Sequence, residues 1–207
     1  MSLNEKQHGF TIVELLIATT VFSIVLTGLV YAVLFVSDNF IRGSVQTQAQ
    51  ETARSIEQRM SQDIQLNGAT ISSGYTITIG GQTYNFLCIG NARYSYLLYT
   101  EQTPITPSSI LQIQNFTSCT NPTSSPTSPV KSLVGNTMRL SSFGVTQVGT
   151  SNLYQINVGI VYGPNTQVNQ VPASGPPPYT YNCGTSVTQG FFCAIANLNT
   201  VVQQRIN

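Results

Sequence analysis

The sequence predicts an α+β fold, one long N-terminal helix packed on a mainly antiparallel β-sheet. Three observations lead there. An apolar run from Phe10 to Val36 passes into a helical stripe that continues to Ile64. Beyond residue 68 the pattern turns to period two, with glycine-rich breaks. Ten of the fifteen charged side chains lie in residues 1–66, which leaves five for the remaining 141. The chain thus divides into a polar leader (1–9), an apolar helix (10–36), an amphipathic helix half (37–67) and a β-rich part (68–207).

The run FTIVELLIATTVFSIVLTGLVYAVLFV covers 27 residues and carries one charge, Glu14. As a helix it spans roughly 40 Å, more than a hydrocarbon core of about 30 Å. It is too long for the apolar region of an ordinary cleavable signal, and no A-x-A pattern closes it. A single membrane-spanning helix is the simplest reading. Glu14 does not fit a plain anchor, because a carboxylate there is costly without a donor or cation. The only side-chain donors within the run are hydroxyls.

Val45, Ala49, Ala53, Ile56, Met60 and Ile64 follow at spacings of three and four, one apolar stripe expected to lie against the globular part. The charges from Asp38 to Asp63 are read as the wet faces of this helix, which is expected to end near Asn67-Gly68.

Gly9-Phe10-Thr11-Ile12-Val13-Glu14-Leu15-Leu16-Ile17-Ala18 resembles the class III signal of type IV prepilins and type II secretion pseudopilins. The likeness covers about 35 residues, from the leader through the apolar helix. It implies cleavage between Gly9 and Phe10 by prepilin peptidase and N-methylation of Phe10, with the helix retained. It assigns Glu14 and Thr11 to assembly, with the carboxylate of Glu14 neutralising the new amine of an adjacent subunit. It also implies a pilin-like fold, and as partners other pilin or pseudopilin subunits, the peptidase, an inner-membrane assembly platform and membrane lipid. The location implied is the bacterial cytoplasmic membrane, with the C-terminal part outside, and then an extracellular filament or pseudopilus. The length points to a minor rather than a major subunit.

In the β-rich part, Tyr75–Ile79 and Thr83–Ile89 flank Gly80-Gly81-Gln82 as a hairpin, and Thr137–Val148 and Leu153–Tyr162 flank a second one. Tyr94–Thr100 and Ile110–Asn115 read as further strands. Thr117–Pro129 and Val171–Tyr181 read as irregular, Pro-rich stretches, and the periodicity of Ala194–Asn207 leaves strand and helix open.

Cys88, Cys119, Cys183 and Cys193 all follow the membrane segment, and an even number in an exported domain favours disulfides, with three possible connectivities. We expect Cys183–Cys193 and Cys88–Cys119. The resemblance supports the first, since pilin-like proteins often staple their C-terminal region.

Catalysis is not expected. The single histidine, His8, lies in the leader, and Glu101 is the one carboxylate beyond residue 66. Neither a zinc-type Cys/His spacing nor a phosphate-cradling glycine motif is present, so no metal or cofactor is expected. With eight basic and seven acidic residues there is no dominant field for nucleic acid. Arg93, Lys131, Arg139 and Arg205 against Glu101 give the globular part a mild excess of positive charge. That excess is the one basis for an alternative reading as a pilin-like adhesin or DNA-uptake subunit. A plain signal-anchored surface protein is the other alternative.

Overall fold

A computed structural model describes residues 10–67, 71–79, 82–98, 112–115, 131–135, 137–164, 167–171, 180–184 and 192–205. The chain forms two compact units, Met1–Ile41 and Arg42–Asn207. Helix α1, Ile12–Asn67, supplies the described secondary structure of the first unit and continues into the second.

Within the first unit, four hydroxyls of the helix find acceptors on the helix itself. The hydroxyls of Thr19, Thr20, Ser23 and Thr27 donate to the carbonyls of Leu16, Ile17, Thr19 and Ser23, at 2.8–3.0 Å. Every residue from Phe10 to Val36 is exposed in the isolated chain, so this helix is apolar on all sides and long enough to cross a membrane.

In the second unit, Val45, Ala49, Ala53, Ile56, Met60 and Ile64 are all buried, as their spacing predicts. Ala49 and Ala53 are completely covered, so the backbone comes close to what it packs on. Asp63 departs from expectation. It sits on this inner side, 7% exposed, rather than on a wet face. The Tyr94 hydroxyl donates to its Oδ2 at 2.5 Å, and Arg59 Nε lies 3.4 Å from the same oxygen. Two donors compensate a carboxylate that burial alone would exclude.

Among the described residues the expected single sheet is three, all antiparallel. The first is a meander of five strands, β1 Ile71–Ile79, β2 Gln82–Ile89, β3 Ala92–Tyr96, β4 Gln112–Asn115 and β5 Lys131–Ser132. The first hairpin is present, with Ile79 opposite Gln82. Tyr94 starts no strand of its own but lies inside β3, which ends at Tyr96. The second sheet has the order β10-β7-β6, from β6 Met138–Gln147, β7 Leu153–Tyr162 and β10 Ala194–Gln203. Its β6–β7 pair is the second expected hairpin, and β10 resolves the ambiguous C-terminal segment as strand through ten paired residues. The third is a ribbon of β8 Val168–Val171 and β9 Thr180–Cys183. Strand pairing thus claims both ends of the stretch read as irregular, while residues 172–179 and Thr117–Pro129 lie outside the described residues.

Leu140, Phe143 and Val145 of β6, Ile156, Val158 and Ile160 of β7, and Ala194, Ala196 and Val202 of β10 are buried. The Phe143 ring meets Tyr96 edge-on at 4.8 Å between centroids and Tyr94 at 5.9 Å, which joins this sheet to the five-stranded one. At the end of β7 a close approach requires glycine. Gly163 has φ +134°, and a Cβ there would stand 2.7 Å from the carbonyl oxygen of Phe192.

Burial, with the bond to Asp63 second, pushes the Tyr94 phenol far above its ordinary value, and burial raises Tyr96 as well. The folded chain therefore keeps these protons at a pH where the unfolded chain has lost them. The stability they contribute is complete below about pH 10 and falls as pH rises beyond it, by about 1.4 kcal/mol per unit per group. Tyr94→Phe should lower stability at neutral pH by about 1–3 kcal/mol, since Asp63 loses a donor. It should also make the alkaline loss shallower. Denaturant unfolding of the full chain in detergent between neutral and alkaline pH reads both effects; an unchanged alkaline slope counts against this assignment.

Candidate functional site

The site begins where the helix begins. Thr11 is the residue just before α1, and Glu14 lies in its first turn. The Thr11 hydroxyl accepts the backbone N–H of Glu14 at 3.2 Å. In return the Glu14 carboxylate accepts the backbone N–H of Thr11 at 3.1 Å and its hydroxyl at 2.9 Å, both on Oε2. This is a reciprocal capping box: two of the amides that every helix start leaves without partners are satisfied by two side chains. The negative charge also faces the positive end of the helix dipole. Thr-x-x-Glu spacing signals such a box, so the arrangement was available from the residues alone, and it supplies the donor that Glu14 needs.

Phe10 precedes the cap and is exposed; Gly9, His8 and the rest of the leader lie outside the described residues. Oε1 of Glu14 makes no hydrogen bond to any described residue. The site therefore has one engaged carboxylate oxygen, one open one, and an exposed aromatic residue at the point where the resemblance puts a new amine.

The expected staple is present. Cys183 and Cys193 form a disulfide with a Cα–Cα distance of 5.6 Å. Cys88 is also disulfide-bonded; Cys119, its expected partner, lies outside the described residues.

The cations behind the nucleic-acid reading do not form a surface. Arg93 is 6% exposed and stacks over the Phe86 ring at 5.4 Å, and its burial lowers its affinity for the proton. Arg139 is 3% exposed and donates from Nη1 to the carbonyl of Gly163. Lys131 and Arg205 are exposed, and Glu101 lies outside the described residues. Among the described residues, no three His, Cys, Asp or Glu side chains gather in one place.

Thr11→Ala removes one half of the box. It should cost about 1 kcal/mol at the helix start and raise amide exchange at Glu14 about fivefold, while Thr11→Ser restores protection. Exchange of the full chain in detergent micelles measures this; equal protection in wild type and Thr11→Ala would contradict the box.

Residues 5–30 match the family model of the prokaryotic N-terminal methylation motif. Comparison with curated proteins and with solved structures finds no match. The N-terminus is thus a class III signal on an apolar helix, which fits a type IV pilin-like substrate of prepilin peptidase.

Proposed function

We propose that the chain is a structural subunit, a minor pilin or pseudopilin, of a type IV pilus or type II secretion filament. On this reading prepilin peptidase cuts between Gly9 and Phe10, Phe10 is N-methylated, and the subunit leaves the membrane for the filament by its N-terminal helix. The observation that carries the reading is the methylation motif at the head of a helix whose residues 10–36 are apolar and exposed on every side. Such a surface needs lipid before assembly and neighbouring apolar helices after it. The role proposed is architectural rather than catalytic. Its partners are other subunits, the peptidase and an inner-membrane assembly platform, and its final place is outside the cell.

Glu14 has two separable jobs on this reading. Its carboxylate caps its own helix, and its charge neutralises the amine of an adjacent subunit. Glutamine at this position of a capping box still accepts the threonine amide but carries no charge. Glu14→Gln should therefore keep first-turn protection, cleavage and membrane insertion, yet fail to enter filaments, as Glu14→Ala should. Normal incorporation of Glu14→Gln would show that the charge is dispensable. Mass spectrometry of the mature N-terminus tests processing itself: methylated Phe10 is expected, and an intact Met1 in the assembled protein would overturn the reading.

A further inference from the structure

The second face of the sheet of β10, β7 and β6 carries the small cluster of Val161 with Val168 and Tyr181, and beside it is largely polar. Gln155, Asn157 and Gly159 of β7 lie opposite Thr146, Gly144 and Ser142 of β6, and opposite Val201, Asn199 and Asn197 of β10. The register slips between Leu140 and Ser142, so Ser141 is an extra residue in β6, a bulge of the kind that re-aims a side chain. Its consequence is visible at Gly159. A Cβ there would stand under 3 Å from Ser141 Oγ, Ser142 Oγ and Asn197 Oδ1. Three polar atoms from both flanking strands thus converge over one bare glycine.

These groups line a cavity of about 300 Å³, with Ser141, Ser142, Asn157, Asn197 and Asn199 on the sheet and Thr180 and Tyr181 on β9. The β9 wall is fixed. Tyr181 packs with Val161 and Val168, Cys193 and Ile195 lie against that cluster, and the Cys183–Cys193 bond ties β9 to the segment entering β10. Ser142 donates to Asn157 Oδ1, and Gln155 donates to Asn199 Oδ1, both at 2.9 Å, which leaves the amide N–H groups of Asn157 and Asn199 available. Ser141 is 3% exposed, and its Oγ has no hydrogen-bond partner among the described residues. A buried hydroxyl without a partner is rare and calls for a ligand or water.

We propose that this cavity binds a neutral saccharide unit. Among the described residues, the lining offers hydroxyls and carboxamides in both donor and acceptor sense and no charged side chain. It therefore discriminates against phosphates, carboxylates and metal ions, and matches a ring that presents hydroxyls of both senses. Ile195 supplies an apolar contact for the ring carbons.

The test uses the full chain in an amine-oxide detergent, which carries no sugar. Glucose, galactose, N-acetylglucosamine and their methyl glycosides are titrated while the Asn side-chain amide resonances are followed, with inorganic phosphate as the charged probe. At least one sugar should shift the amides of Asn157, Asn197 and Asn199, and phosphate should not. Preference for a methyl glycoside identifies the end of a glycan, and preference for the reducing sugar identifies a free saccharide. Asn197→Leu and Gly159→Ala should each weaken binding roughly tenfold or more. Asn197→Ser guards against misfolding: it should fold normally and bind more weakly than wild type. Thr76→Ala on β1 should bind as wild type does. Absence of binding by all six sugars up to about 50 mM, a very weak affinity on any scale, overturns the proposal. So does wild-type binding by a correctly folded Asn197→Ser, or a stronger response to phosphate.

Discussion

A helix that enters an apolar medium can leave none of its polar groups unpaired, because the medium offers no replacement for water. The N-terminal half of the helix follows from that constraint. Its four interior hydroxyls, from Thr19 to Thr27, bond back to carbonyls of their own helix. The interior backbone is satisfied by helical geometry itself, and the first turn is the one place where geometry leaves donors over. Thr11 and Glu14 satisfy two of those donors reciprocally. Glu14 is thus part of the solution to the desolvation problem that its own charge poses.

The second half of the same helix meets the constraint differently. Its stripe is covered by protein, and the cover is specific at one point, where Asp63 takes the Tyr94 hydroxyl and Arg59 beside it. Tyr94 also touches Phe143, so one buried tyrosine links the helix, the five-stranded sheet and the three-stranded sheet. An apolar stripe permits a helix to rotate or slide by small amounts; a buried, hydrogen-bonded carboxylate does not, because any displacement strands a charge in a dry interior. The register of the helix against the sheets is set by this contact more than by the aliphatic side chains around it.

Much of this was legible in the residues, and the misses share a cause. The family resemblance pointed to the Cys183–Cys193 staple, and spacing located the stripe from Val45 to Ile64 and both major hairpins. It failed for Asp63, whose helical position overlaps the buried stripe while its charge argues for solvent; only a tyrosine 31 positions away decides between them. It failed in the same way for Arg93 and Arg139, which composition counts as surface charge and the fold places inside. The short ribbon of β8 and β9 was hidden because proline between its strands dominates the local pattern, whereas pairing across that interval is non-local. Ser141 was invisible for a related reason: a bulge is a property of two strands in register, and one strand read alone shows only a pair of serines.

The scarcity of charge now has a structural distribution. Of the four described charged residues beyond residue 67, two are buried, so the described surface of this part carries less charge than its composition implies. Neutral amides and hydroxyls are cheaper to desolvate than ions, so such a surface can be brought against another surface, or against a sugar, without exposing an unpaired charge. The one carboxylate in the apolar helix obeys the same logic from the opposite side. An ionised carboxylate accepts several hydrogen bonds, and the cap engages only Oε2. Oε1 stays open to a cationic partner without dismantling the helix start, and the negative charge that strengthens the cap is the one such a partner would neutralise. Local helix stability and the proposed subunit pairing are therefore compatible in a single side chain rather than in competition for it.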